Sequence, residues 1–551
     1  MVKSFFILLI IFLIALYFRI YDLSNIPAGL HGDEASIGYN AYSLLKTGHD
    51  QNGNFLPITI DQFGDYRPAG YHYLAIPFVA LIGLNEIAVR LPAALFGAAT
   101  VLALYLLLAE LFGNKKIALL GGGLLAITPW HITISRATSE SVIASFFVIL
   151  GTYIFLKGYK SKRHILSLLI IAFFFYLVSF LFYHSARIFV PLLLIFLIPI
   201  VFFSFKTIKR VKIYVIGLSI ALLLGLLFIL AAGRGTARPI NISVLNIPGG
   251  DKLIYQQIGE DGKQDPFITR FFHNKPDFYS RLFLSSYFQH FSGQFIFVTN
   301  GLPIRYRVPW TGNLHLIYLP FLLLGFAMLL TEGVKDRKFV GLLPILWVFF
   351  GAVPAGLTYE DIPNIQRASL MLPGLIMLTA YGTYMFFSVI PKKAKVITGV
   401  ICGIILLQNS LYFSHNYFLH SKIDEPWYRS AAVKELMFAI NDLSKQYKKI
   451  VMTTNGNNSF IHYLFYQKVD PKIFQELGSP REKDMLQFQN VVYTYSPCPL
   501  EGSTEREEQK SDISTVYVNH SNCNNLPKNA RILRTIYHPD GMPAFKIVSL
   551  E

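Results

Sequence analysis

The feature that most restricts this chain is a succession of apolar runs long enough to cross a bilayer, at 4–20, 91–109, 117–134, 141–156, 165–182, 188–205, 213–233, 314–331, 339–359, 368–391 and 396–414. Crossing the hydrocarbon takes roughly 20 mostly apolar residues, with shorter runs accepted down to about 17. Eleven such runs in 551 residues predict a polytopic α-helical membrane protein. Composition agrees: 53% of residues are hydrophobic and only 15% charged, where a soluble domain carries roughly 25%. The net charge of +16 does not point to nucleic acid, because the basic residues punctuate apolar runs instead of clustering on a soluble face. The first run has the lysine and apolar core of a secretion signal but lacks a small-residue cleavage site before Arg19. It therefore reads as a retained helix.

Charge sets the expected topology. A twelfth run, Ala69 to Leu84, holds Pro77 and opens on Tyr71-His72-Tyr73. If it lies along the surface, the basic segments at Lys3, Lys115-Lys116, Lys157 to Arg163, Lys206 to Lys212, Lys335 to Lys338 and Lys392 to Lys395 all fall on one side. The short turns near Arg136, Arg187 and Arg367 then fall on the other, with one arginine each. The positive-inside rule favours that arrangement, with the N-terminus cytoplasmic and the C-terminus outside. Run 69–84 is then an interfacial helix. Three pieces are expected outside: a first loop at 21–90, a long loop at 234–313, and a tail at 416–551 following a membrane domain at 1–415. The long loop carries an aromatic stretch from Tyr279 to Phe297 that reads as a membrane-hugging helix or an ordinary packed loop. In the tail, helical stretches (Trp427 to Tyr447, Phe460 to Lys468) alternate with β-rich runs (Ile450 to Thr454, Val491 to Tyr495, Thr515 to Asn519, Phe545 to Ser549), predicting a small α/β domain. Asn455-Gly456 is expected as a turn. Cys498 and Cys523 are either a disulfide, which needs an oxidising compartment, or two free thiols.

Chemistry is expected in the outer segments. Gly29-Leu30-His31-Gly32-Asp33-Glu34-Ala35 sets two adjacent carboxylates just past helix 1, and Gly64-Asp65-Tyr66-Arg67-Pro68 follows in the same loop. Arg136, Arg187 and Arg367 stand at other outer helix ends. Adjacent exposed acids are often merely solvated, and arginines at helix ends often snorkel. Together they suit a phosphate at the headgroup boundary, which guanidinium groups bind bidentately, with a carboxylate as general base on a hydroxyl. His184 lies one helical turn from Arg187, so both can face one cavity. His31, Tyr71 and His72 are auxiliary candidates, although an interfacial histidine is more often only a surface residue.

These motifs, with Arg90-Leu91-Pro92, Thr128-Pro129-Trp130-His131, Ser135-Arg136 and the run from Gln366-Arg367 to Pro373, resemble the protein O-mannosyltransferase and aminoarabinose-transferase branch of the GT-C glycosyltransferases. The resemblance covers about residues 1–415. It implies a GT-C-like fold and a polyprenyl-phosphate-linked sugar as donor. It also implies inversion at the anomeric carbon by the acid of the first outer loop, which Asp33 matches, with Glu34 matching its neighbour. Arg67 falls where the family places a cation against the donor phosphate, and Glu140 near a second outer-loop acid. No cofactor is certain. Some members hold a divalent metal through an acid just before the cation-proline pair, where this chain has Tyr66, with Asp65 one residue away. The acceptor, whether glycan, lipid or protein, is left open. Two other classes compete: a polymerase or ligase of lipid-linked glycans, and a transporter, which the nearly charge-free helix centres and lack of a visible repeat disfavour.

Overall fold

The computed structural model describes the chain except for residues 1, 64, 161–163, 205–208, 232–236, 263–264, 336–338, 455–458, 477–484 and 502–512. Gly64, Asn455-Gly456 and part of the basic segments near 160, 207 and 337 lie outside the described residues.

The first third of the chain builds α1 (Val2–Ile20), α2 (Gly32–Thr47), α3 (Gly70–Ile82), α4 (Glu86–Phe112), α5 (Lys115–Ile127), α6 (Pro129–Ser135) and α7 (Glu140–Lys160). A two-stranded ribbon, β1 (Thr59–Gln62) against β2 (Asp65–Pro68), precedes α3. Then come α8 (Ile165–Phe180), α9 (His184–Ser204), α10 (Lys209–Ala231) and the short α11 (Ala237–Asn241). The long loop holds α12 (Gly250–Glu260), α13 (Pro266–Phe272) and α14 (Lys275–Gln289), followed by α15 (Tyr318–Lys335), α16 (Leu343–Gly356), α17 (Leu372–Val389) and α18 (Lys392–Phe418).

A helix occurs at each of the eleven apolar runs. Six of these helices are long and apolar enough to cross a membrane by themselves, and the bent pair α5–α6 makes up to seven. The remaining four runs fall on shorter apolar helices, as does run 69–84. The bend between α5 and α6 is 58° and follows from Thr128-Pro129. Proline offers no N–H to the preceding turn, so the helix breaks there and restarts with Pro129 in its first turn.

Burial sorts the long helices into layers. The central windows of α4, α7 and α17 are 61%, 67% and 72% buried, whereas those of α1, α10 and α18 are 11%, 22% and 6% buried and lie at the periphery. Exposed leucines, isoleucines and phenylalanines on those outer helices form a surface suited to lipid. Glycines allow a close crossing of α15 on α17. A Cβ at Gly325 would sit 2.0 Å from the Leu378 carbonyl oxygen, so the two backbones approach as only small residues allow.

The tail folds into α19 (Val433–Leu443), α20 (Ser459–Tyr466), α21 (Pro471–Glu476) and a six-stranded sheet. The strands are β3 (Lys449–Thr453), β4 (Met485–Phe488), β5 (Val491–Thr494), β6 (Thr515–His520), β7 (Ala530–Tyr537) and β8 (Pro543–Leu550), ordered β4-β5-β3-β6-β8-β7. The four β-rich runs of the sequence are β3, β5, β6 and β8, and Cys498 is disulfide-bonded to Cys523. The tail packs on the first loop. His462 Nε2 lies 2.7 Å from the Leu30 carbonyl oxygen, and the Tyr39 hydroxyl donates to the Val469 carbonyl at 3.3 Å.

Candidate active site

The site begins with the cap of α2. The His31 side chain accepts from the Asp33 N–H at 3.1 Å, and Glu34 Oε2 accepts from the His31 N–H at 3.2 Å. This reciprocal cap satisfies donors that a helix N-terminus leaves unpaired. It also turns the two neighbouring acids to different jobs.

Glu34 faces α4, where Arg90 grips it with Nε on Oε1 at 3.0 Å and Nη2 on Oε2 at 2.9 Å. The Thr138 N–H donates to Oε1 as well, at 3.3 Å. Arg90 is fully buried and its remaining hydrogens go to the carbonyls of Leu23, Pro27 and Gly29. Burial alone would raise the Glu34 carboxyl, but Arg90 outweighs it and the acid is held below its usual range. Both oxygens are taken, so the placement of Glu34 is that of a lock between α2, α4 and the turn before α7.

Asp33 faces a narrow pocket lined also by Arg67, Glu140, Arg305, Tyr306 and Gln366. Its Oδ2 lies 3.1 Å from Arg67 Nη2 and 3.2 Å from Arg305 Nη2. Burial pushes the Asp33 carboxyl up, but Arg67, with His31, Arg305 and Arg238 behind it, holds it far below the ordinary carboxylate range. Arg67 stands on β2 and also meets Asp65 at 3.2 Å; Asp65 in turn pairs with Arg238. The charges therefore alternate from Arg238 through Asp65, Arg67 and Asp33 to Arg305. His31, beside Arg305 at 3.4 Å, is pushed down to about 4 by burial and by that guanidinium.

The structure brings Asp33, Glu34, Arg67, Glu140 and His31 to one pocket and leaves Arg136, Arg187 and Arg367 out of its lining. Arg136 is turned the other way. It donates to the carbonyls of Phe18, Tyr21 and Ile26 at 2.6–2.9 Å and lies over the Tyr417 and Phe418 rings. That position engages both terminal nitrogens with carbonyls at and just beyond the end of α1 and turns the guanidinium away from the pocket lining. Arg367 donates to the Thr358 hydroxyl at 3.0 Å and lies 3.7 Å from Glu360. Arg187 meets His184 Nδ1 at 3.1 Å, the one-turn pairing expected from their spacing, and donates to the Phe180 carbonyl. The Tyr71 hydroxyl donates to the Val89 carbonyl at 2.8 Å and accepts from the Ala93 N–H, while His72 Nε2 pairs with Gln62 at 3.0 Å. Both are buried packing residues of α3.

Arg305 and Tyr306, from the turn Ile304–Tyr306, line the pocket with Arg429, and the motifs singled out none of them. The sequence does carry a signal for Arg305, an arginine beside a tyrosine in a loop between apolar runs, as in Tyr66-Arg67. Asp65 does not suit a metal. It faces two guanidinium groups, Asp33 faces two more, and among the described residues no group of three His, Cys, Asp or Glu side chains is placed to hold an ion.

Residues 9–233 match the model of the dolichyl-phosphate-mannose-protein mannosyltransferase family. That stretch is similar to this family. It is less than half of the chain, and it carries Asp33, Glu34, Arg67 and Glu140. A protein of Bacillus subtilis (strain 168) named "Putative mannosyltransferase YkcB" is 28% identical over 163 residues, 28% of this chain and 21% of that protein. The fold is similar to that of a solved membrane oligosaccharyltransferase. Oligosaccharyltransferase AglB from Archaeoglobus fulgidus, solved with an inhibitory peptide and a dolichol-phosphate, aligns with a TM-score of 0.51 at 15% identity, covering 84% of this chain and 64% of that one. ArnT from Cupriavidus metallidurans bound to undecaprenyl phosphate aligns over 99% of this chain and 97% of its own, with a TM-score of 0.46 at 12% identity. The chain thus spans about a fifth of the length of YkcB and under two thirds of AglB.

Proposed function

We propose that this protein is an inverting glycosyltransferase that moves a hexose or pentose from a polyprenyl-phosphate donor to an acceptor hydroxyl. The observation that carries this reading is the pocket in which Arg67 and Arg305 converge on one carboxylate. Two guanidinium groups within a few ångströms of each other, in a site largely shut from water, are what a departing phosphate needs. Phosphate is already a good leaving group, so attack at the sugar carbon needs a base on the hydroxyl and cationic stabilisation of the phosphate, both available among the pocket residues. The mannosyltransferase-family match over the site-bearing residues supports this donor class. Mannose and a cell-envelope acceptor, whether glycan, lipid or protein, are the substrates to try first.

The pocket is proposed to face the outside, with eleven spans and a cytoplasmic N-terminus. The basic segments support that orientation. The tail's disulfide supports an oxidising compartment, and the contact of His462 with Leu30 ties tail and site to one side of the membrane.

The direct test is to incubate the detergent-solubilised chain with undecaprenyl-phosphate mannose and candidate acceptors, and to follow products by mass spectrometry. Release of undecaprenyl phosphate with a hexose added to an acceptor supports the proposal. Activity only with a diphosphate-linked oligosaccharide would move the chain to the ligase class.

A further inference from the structure

Residues 419–432 join α18 to α19, and this junction reaches the pocket. Arg429, the last residue of the turn Pro426–Arg429, is 5% exposed and lines the pocket. Its Nε donates to the Arg305 carbonyl at 2.7 Å, its Nη2 to the Arg307 carbonyl at 2.7 Å, and its Nη1 to the Ser421 carbonyl. Arg307 in turn pairs with Asp424 at 3.5 Å and with Glu425. The backbone of Arg429 meets the other half of the site. A Cβ at Gly29, four residues before Asp33, would overlap the Arg429 carbonyl oxygen, and Gly29 is left-handed at φ 75°, so both space and backbone call for glycine there.

A long side chain on a short turn is placed only as well as the turn itself. Ile304–Tyr306 is a single 3₁₀ turn with poor hydrogen-bond geometry of its own, yet it delivers Arg305 to within 3.2 Å of Asp33. Arg429 holds the carbonyls on both sides of Tyr306, so the turn cannot rotate without breaking two charge-assisted hydrogen bonds in a nearly water-free place. The planar fork of a guanidinium suits two carbonyls of one segment, which a point-like ammonium does not. Glu425 and Ser430, on either side of Pro426–Arg429, are left-handed at φ 47° and 56°, a conformation that residues other than glycine keep only where their surroundings enforce it. We propose that Arg429 is a positioning residue for transfer: it fixes the turn that presents Arg305 and sets the spacing of that turn from the acid-bearing loop. Both arginines lie outside the family-matched residues 9–233.

This assignment rests on the transferase reading above. As the carbon–oxygen bond to phosphate breaks, its electron pair stays with the phosphate, and Arg305 is one of the two guanidinium groups that meet the growing charge. Stabilisation of that charge depends steeply on where the donor stands. Arg429, with its three nitrogens on carbonyls, acts through Arg305.

The test uses the full chain with undecaprenyl-phosphate mannose as donor and compares Arg429→Ala, Arg305→Ala and the double variant. Arg429→Ala is expected to lower kcat/KM by about 10²-fold, the scale of a misplacement of about 1 Å. In the Arg305→Ala background the same change is expected to lower it by about twofold or less, because the group that Arg429 places is gone. A merely structural role would lower kcat/KM by the same factor in both backgrounds. Hydrogen–deuterium exchange of residues 300–309 reads the turn without turnover, since the Tyr306 and Arg307 N–H groups donate to the Pro303 and Ile304 carbonyls. Exchange there is expected to speed up in Arg429→Ala. Arg429→Gln, which keeps one donor, carries the same comparison where the alanine variant fails to fold. Equal losses in the two backgrounds, or unchanged exchange at 300–309, would overturn the assignment and leave the transferase reading standing. If the wild-type chain releases no undecaprenyl phosphate from that donor with any acceptor, the transferase reading falls first and this one with it.

Discussion

At the scale of single residues, two guanidinium groups of different history share one task. Arg67 could be picked from its setting before proline, whereas Arg305 came into view only when the long loop was seen to fold back on Asp33. Removing Arg305 is expected to lower kcat/KM by about 10²-fold or more, the scale of one lost donor to a developing anion, and Arg305→Lys should recover little because an ammonium cannot replace the fork. Steady-state kinetics on the two variants checks this. Arg136→Ala should instead lower thermal stability in detergent and leave donor affinity in the surviving protein intact, because its terminal nitrogens hold carbonyls at and after the end of α1 and it lies outside the pocket lining. The chain read in one dimension shows four arginines, Arg67, Arg136, Arg187 and Arg367, as equals; only burial and the groups each one meets separate pocket-lining from structural. His31 supplies a pH test. Its pKa is about 4 in the folded chain against an ordinary 6.5, so between those values the unfolded chain binds a proton that the native one refuses. Stability from this group is complete above about 6.5 and falls as pH drops toward 4. Melting temperatures across that range should decline, and His31→Asn should flatten the decline.

At the scale of elements, α2 sets the accuracy of the site, because its first turn carries both acids. Gly38 lies midway along it, where a Cβ would come within 2.5 Å of the Phe465 ring and 2.7 Å of the Val89 side chain. Gly38→Val should therefore cost about 1–3 kcal/mol through overpacking and tilt α2 away from Arg67, seen as a lower melting temperature together with reduced transfer. The period and length of the apolar runs made the helices legible at all eleven sites. The strands β4 and β7 were not, since they lie at the two edges of the sheet and β7 has exposed polar positions. Edge strands carry little of the alternation on which such a reading depends.

At the scale of the molecule, the tail is a support for the first loop as much as a separate unit. Gln475 donates to the Asp50 carbonyl at 2.8 Å and reaches Ser43 at 3.1 Å, adding to the contacts of His462 and Tyr39. A chain ending at residue 415 is expected to insert in membranes yet lose transfer and most protease resistance of residues 21–90, measurable by limited proteolysis in vesicles. Nothing in the tail's composition announced that dependence, because it resides in single hydrogen bonds across more than 400 residues of sequence. The turn between α1 and α2 has a similar dependence in time. Five of its carbonyls, from Tyr21 to Gly29, and that of Phe18 in α1 are held by Arg90 and Arg136. During synthesis those arginines emerge long after the turn they secure, so the acid-bearing segment must wait unanchored at the membrane surface until α4 and α6 have been threaded beside α1. Assembly of the pocket is thereby tied to the order in which the ribosome delivers the helices, and a delay in inserting α4 would leave the first loop exposed to proteases.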